Sequence, residues 1–193
     1  MNRMLISRNG AHALDVYRRL RTIVAILAAV FAASCGSAVP EGRIVQVTLE
    51  RTTCYGTCPA YRVTISGDGL VTYEGKQYVE VSGIRTKRID AEALSALADE
   101  VARVDYFVLQ NTYDSAEDGC RRLWTDNPAA NTSVRIARTT KTIHHYLGCR
   151  EDGREGSFSK SYPQALTSFE DAIDRIAGTK EWIGTGSERS RDR

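Results

Sequence analysis

The sequence is short of the residues that most enzymes and metal sites need. It holds three histidines in 193 residues, and one of them, His12, falls within an export signal read below. That leaves His144 and His145, adjacent in a strand pattern, so their side chains point to opposite faces. A zinc site built on a cysteine pair wants two further ligands, and at most one of these histidines readily joins it. No G-x-S-x-G, no H-E-x-x-H and no phosphate-binding glycine loop occurs. A Ser/His/Asp group assembled only in space would have to take its base from His144 or His145. Charge of one sign is also lacking. The formal net charge is +2, but residues 1–35 carry five Lys/Arg and one acid, which leaves 21 basic and 23 acidic residues in the remainder. That remainder has no basic excess of the kind nucleic-acid binding requires, so no nucleic-acid partner is expected. Long apolar runs are missing as well: the longest, "TIVAILAAVFAAS", has about thirteen residues where a membrane span takes roughly 20.

What is present begins with an address. Arg18, Arg19 and Arg21 precede that apolar run, and Ala32, Ala33 and Ser34 lead straight into Cys35. A basic segment, a short apolar segment and small residues form a secretory signal. The end of it resembles a bacterial lipobox, in which the cysteine is lipidated and becomes the new N-terminus. Residues 1–35 are therefore expected to be a signal peptide ending at Cys35. The lipid would anchor the chain to a membrane of the bacterial cell envelope, facing the periplasm or the exterior. The competing reading is an ordinary cleaved signal with Cys35 incidental. Residues 36–42, "GSAVPEG", read as a tether, residues 43–183 as one domain, and residues 184–193 as a disordered polar tail.

Four cysteines then remain, Cys54, Cys58, Cys120 and Cys149. An even number in an exported chain reads as disulfides, with three pairings open. Cys54–Cys58 with Cys120–Cys149 is the expected set. Gly56 lets the first pair turn tightly, and the second closes a long loop. A catalytic dithiol normally has two intervening residues at a helix N-terminus. Here three intervene, and Pro59 leads into a strand pattern. No metal and no cofactor is expected.

In "RIVQVTLER", Val45, Val47 and Leu49 alternate with Gln46, Thr48 and Glu50, which predicts a half-buried strand. "AYRVTISGDGLVTYEG" predicts a hairpin turning at Asp68-Gly69, with Tyr61, Val63 and Ile65 on one face. "KQYVEVSGIRTKRI" offers a further extended segment. Asp90 caps a helix whose stripe is Leu94, Leu97, Val101 and Val104. Residues 110–131 read as a polar loop in which Asp114, Glu117 and Asp118 are solvated charge. "TSVRIARTTKTIHHYLGC" predicts a second hairpin. Pro163 opens a second helix with the stripe Leu166, Phe169, Ile173 and Ile176; Gly178 stops it and Trp182 packs back. The expected class is α+β, an antiparallel sheet of two hairpins plus an N-terminal strand, with two amphipathic helices packed on one face.

The stretch "RTTCYGTCPAYRVTISGDGLVTYEG" closely resembles the opening of a family of bacterial exported domains of unknown function. Their hallmark is a C-Y-G-x-C-P-x-Y segment running into a strand, a D-G turn and a T-Y-E-G strand. The match falls on Cys54, Tyr55, Gly56, Cys58, Pro59 and Tyr61, then on Asp68, Gly69, Thr72, Tyr73, Glu74 and Gly75. "YDSAEDGC", "TDNP" and the last helix with Trp182 are similar to later parts of such domains. The resemblance covers about residues 43–183 and implies the fold unit and the envelope address, but no activity. The expected function is a disulfide-stabilised binding or structural module anchored by lipid, with an envelope protein or a small ligand as partner. Its candidate binding loop is Tyr55, Gly56, Thr57, Pro59 and Tyr61, because rigid loops on scaffolds commonly carry function. The aromatic residues Tyr55, Tyr61, Tyr73, Tyr78 and Trp124 either line a groove beside it or pack the sheet. The alternative is an envelope enzyme, working by thiol–disulfide exchange at Cys54 and Cys58 or by hydrolysis through His144 or His145.

Overall fold

A computed structural model describes residues 42–151 and 161–185. The expected signal with Cys35, the tether up to residue 41, residues 152–160 and the tail from residue 186 lie outside the described residues. Among the described residues no helix is long and apolar enough to cross a membrane.

The chain forms β1 (Ile44–Arg51), β2 (Ala60–Ser66), β3 (Leu70–Gln77), β4 (Gly83–Arg88) and α1 (Ala91–Arg103). There follow β5 (Thr112–Tyr113), β6 (Arg122–Leu123), β7 (Ala129–Ile136), β8 (Thr139–Tyr146) and β9 (Cys149–Arg150). The last elements are α2 (Gln164–Ala177) and α3 (Lys180–Ile183). Seven strands make one sheet in the order β4-β3-β2-β1-β7-β8-β5, and β6 pairs with β9. All pairs in the large sheet are antiparallel except β5 with β8, which is parallel. The fold is α+β with a mostly antiparallel sheet and few helices.

Alternation decides which face is which. Val47, Leu49, Val63, Ile65, Val71, Tyr73, Val134 and Ile143 are all fully buried. They join the stripes of α1 (Leu97, Val101) and α2 (Leu166, Phe169, Ile173) in one core. Burying an aliphatic side chain of this size stabilises by roughly 1.5–3 kcal/mol, so the single-sided pattern fixes the register of every long strand. The opposite face is polar. Across six strands one register row carries only hydroxyls: Thr86, Thr72, Thr64, Thr48, Ser133 and Thr142. Beside it, Glu50 joins Arg62 at 2.7 Å and also pairs with Lys76. Partial burial pushes the Glu50 carboxyl up, but the hydrogen bonds from Arg62 and Lys76 outweigh it and hold the group below its ordinary range.

Caps and stops match local chemistry. Asp90 accepts the Ala93 N–H at 2.8 Å as the cap of α1. Gly178, left-handed at φ 64°, ends α2. Gly69 at φ 84° makes the β2–β3 turn, where Asp68 accepts from the Leu70 N–H at 3.2 Å. Trp182 packs back onto Tyr73 with ring centroids 4.9 Å apart.

Four expectations need correction. The sheet is larger than two hairpins and a strand, because β4 and β5 extend it at both edges. Val45 was assigned to the core face but is 37% exposed. A bulge between Ile44 and Gln46 shifts the register there, so Ile44 turns inward in its place. The second hairpin begins at Ala129 rather than after residue 131, because Ala130 and Thr132 fill core positions opposite β1. Pairing and burial override the weak strand preference of Ala and Asn. Finally, Asp118 is more than solvated charge. It accepts from the Asp114 N–H, the Ser115 hydroxyl and the Thr112 hydroxyl at 3.2, 2.9 and 3.0 Å. Those bonds hold its carboxyl below the usual carboxylate range.

Candidate functional site

The Cys54–Cys58 bridge closes the connection between β1 and β2, with Cα atoms 5.6 Å apart. With both sulfurs joined, neither is a thiolate ligand, and the loop runs into a strand rather than the helix N-terminus that acidifies catalytic thiols. The Gly56 N–H bonds the Cys54 carbonyl at 2.9 Å inside the loop. The Tyr55 N–H bonds the Asp126 carbonyl at 3.3 Å, and Thr52 is stitched to Ala129 by two bonds of 2.9 and 2.8 Å. The loop therefore sits on the turn that precedes β7. Asn127 donates from Nδ2 to the Trp124 and Thr125 carbonyls, and the Tyr146 hydroxyl donates to the Trp124 carbonyl at 2.6 Å. Arg150 lies 5.5 Å above the Trp124 ring. The second bridge, Cys120–Cys149, ties this flap to β9, three residues beyond the end of β8. The result is a braced tip from which Tyr55 projects 90% exposed, with Leu123 and Trp124 partly exposed in the neighbouring turn.

The base of the tip is a charge network absent from the sequence reading. Arg51, three residues before Cys54, donates from Nε to Asp174 at 2.8 Å and from Nη2 to Asp171 at 3.2 Å. Its Nη1 stands 3.9 Å from Glu170 Oε2. Asp174 also accepts from the Tyr61 hydroxyl at 2.7 Å and the Thr179 hydroxyl at 2.8 Å. Glu170 in turn meets His145 Nδ1 at 2.7 Å, and both side chains are 0% exposed. Among the described residues, His145 Nε2 and Glu170 Oε2 have no hydrogen-bond partner. A ring so enclosed touches no substrate, so the pair braces α2 against β8 and β1.

The candidate residues are thus split. Tyr55, Gly56 and Thr57 are exposed on the tip, and Pro59 is half-buried. Tyr61 does not belong to the binding loop: it lies in β2, 1% exposed, with its hydroxyl on Asp174. The inward phase of β2 put it there. Tyr73 is likewise core, whereas Trp124 is at the tip. His144 and His145 do face opposite ways. His144 lies half-buried on the polar face, its Nδ1 2.7 Å from Asn131 Oδ1 and its Nε2 3.8 Å from Asp114. Glu170 was legible in principle. It lies four residues after Leu166 and three before Ile173, inside the apolar stripe, and His145 shares the inward phase of Ile143.

Burial also marks the tyrosines. It pushes the Tyr61 hydroxyl far up, and the Asp174 carboxylate pushes it further. Tyr106 is raised chiefly by burial, and Tyr73 is pushed up to about 12 by burial and then by Asp174. A raised folded-state value means that stability is intact below the unfolded tyrosine range of about 10 and is lost as pH rises above it. In an alkaline titration followed by phenolate absorbance and circular dichroism, a late group of tyrosines should ionise only as the fold is lost. Complete ionisation with an unchanged dichroism spectrum would contradict this assignment.

No curated protein matches the chain. The family described as Domain of unknown function (DUF6438) matches residues 45–177, which span β1 to the end of α2, and the chain belongs to that family.

Proposed function

We propose that the chain is a lipid-anchored module of the bacterial cell envelope that binds an envelope protein through the Cys54–Cys58 tip. The observation that carries the reading is Tyr55, 90% exposed on a loop closed by a bridge and bonded to the Trp124 turn. An aromatic ring held in a rigid exposed loop loses little freedom on binding, which is why Tyr and Trp concentrate at recognition surfaces. Export is supported by the pairing of all four domain cysteines, a state that persists in oxidising compartments. The anchor is supported by Arg18, Arg19 and Arg21, the short apolar run and Ala32-Ala33-Ser34-Cys35. The tip stands beyond the end of β1 opposite Ile44, eight residues and about 27 Å away. The enzymatic alternative has less support, because His145 is enclosed, His144 is paired with Asn131, and both sulfurs of the loop are bonded.

The test uses the whole chain in its own cell. A photoreactive residue at position 55 should yield a discrete protein adduct, and the same residue at position 138, in the turn at the other end of the sheet, should not. Adducts of equal yield from both, or none from 55, would remove the tip from consideration. Cys35→Ala should move the chain from the membrane fraction to the soluble one, and retention on the membrane would remove the lipid anchor.

A further inference from the structure

The large sheet ends at β4, and among the described residues no strand pairs with β4 on the side away from β3. Register decides which backbone groups face that open edge. The Ile89 N–H bonds the Gly69 carbonyl at 3.0 Å, next to the pair Leu70 and Arg88. Groups of odd-numbered residues therefore point to β3, as in Arg85 and Lys87. Those of Ile84, Thr86 and Arg88 point outward, because successive residues of a strand alternate. Arg85 Nη1 donates to the Ile84 carbonyl at 2.8 Å, which agrees with that phase and sets a guanidinium on the edge itself. From Leu70 opposite Arg88 to Gly75 opposite Gly83 the register runs without a shift, so no bulge bends the edge away.

We propose that β4 accepts an extended acidic segment of a partner protein as an additional strand. Three outward N–H groups supply main-chain bonds, and the side chains beside them select the sequence. β4 carries Arg85, Lys87 and Arg88 and no acid. The ion pairs of Lys87 with Glu181 and of Arg88 with Asp68 are exposed, at 3.0 and 3.4 Å, so the strand keeps its positive character. Ile84 is 65% exposed at the same edge and offers an apolar contact. In an antiparallel partner strand, residues opposite Ile84, Thr86 and Arg88 share their face, and those opposite Arg85 and Lys87 share the other. Acids then suit the places opposite Arg85, Lys87 and Arg88, and a branched apolar residue suits the place opposite Ile84. A second copy of the chain fits badly. Antiparallel pairing of two β4 strands about Thr86 sets Arg85 of one copy against Lys87 of the other, and like charges directly opposite destabilise. The surface is separate from the tip, since β3 and β2 stand between β4 and β1.

The experiment uses the whole chain with both bridges intact. Its probe is the capped peptide Thr-Glu-Glu-Thr-Glu-Val-Thr, and its control is Thr-Lys-Lys-Thr-Lys-Val-Thr. The acidic peptide should bind saturably, slow amide exchange at Ile84, Thr86 and Arg88, and weaken as salt is raised. The lysine peptide should bind at least about tenfold more weakly. Thr86→Pro removes one outward N–H at an edge position where proline is tolerated, and should weaken the acidic peptide about tenfold while the amide protection of β1 and β2 is kept. Arg85→Glu with Arg88→Glu should transfer the preference to the lysine peptide. No binding of the acidic peptide, protection at some other surface, or equal affinity for the two peptides would overturn the proposal. So would protection of the same three amides by raised protein concentration alone, which would place a second copy on the edge. None of these readouts involves Tyr55 or Cys35, so failure here and failure of the tip or the anchor are separable.

Discussion

Replacing Glu170 with alanine is expected to lower the melting temperature of the domain by about 10 °C. The carboxylate is 0% exposed, lies 2.7 Å from His145 and faces Arg51 at 3.9 Å. Removing one member of this enclosed pair leaves the buried polar atom of the other unsatisfied and opens a cavity, together at a cost of roughly 3–5 kcal/mol. Each kcal/mol moves the transition by about 2–4 °C in a domain of this size. Two comparisons separate charge from packing. Glu170→Gln keeps an acceptor for His145 and should lose less. Glu170→Leu together with His145→Leu removes both polar groups and should recover most of the stability, with a strong positive coupling in the double-mutant cycle. If Glu170→Ala melts within a degree of the parent chain, the pair is not a brace, and the fold must accommodate His145 in some other way.

Removing the Cys120–Cys149 bridge should cost more than removing Cys54–Cys58. The two close separations of 29 and 4 residues. Loop-closure entropy then assigns about 3.5 kcal/mol to the longer and about 2 kcal/mol to the shorter. Cys120 and Cys149 are both buried, so alanine at these positions also loses packing. Cys120→Ala with Cys149→Ala should lower the transition by about 10 °C. It should also loosen the flap that carries Trp124, seen as faster amide exchange across β6 and β9. Cys54→Ala with Cys58→Ala should leave the core intact while the tip loses its shape. Equal losses for the two pairs would show that strain or residual structure, rather than loop length, governs them.

The response of the two pairs follows from where each stands in the fold, and that was only partly legible beforehand. Strand and helix identity could be read because burial on one side leaves a period in the sequence. Tyr61, Val63 and Ile65 alternate, and Leu97, Val101 and Val104 recur at helical spacing. The Asp90 cap, the Asp68-Gly69 turn and the Gly178 stop are single-residue signals with local causes. The tip's cysteines were visible for the same reason, since only three residues stand between them. Tyr61 was misplaced because adjacency to Cys58 in sequence says nothing of phase. One step into β2 turns the ring inward, away from Tyr55.

The sequence by itself determined the class of fold, its caps and turns, the local cysteine pair and the scarcity of catalytic groups. Each of these depends on neighbours within a few residues or on composition. Only the tertiary structure decided that Arg51 gathers Glu170, Asp171 and Asp174 from more than a hundred residues downstream, and that Glu170 reaches His145. It also decided that Tyr55 rests on the Trp124 turn and that the chain enters the domain beside an open groove on α1. Such contacts leave no period. They are set by strand order and by how two helices settle on one sheet, where the energy of a charge depends on what surrounds it rather than on what precedes it in the chain.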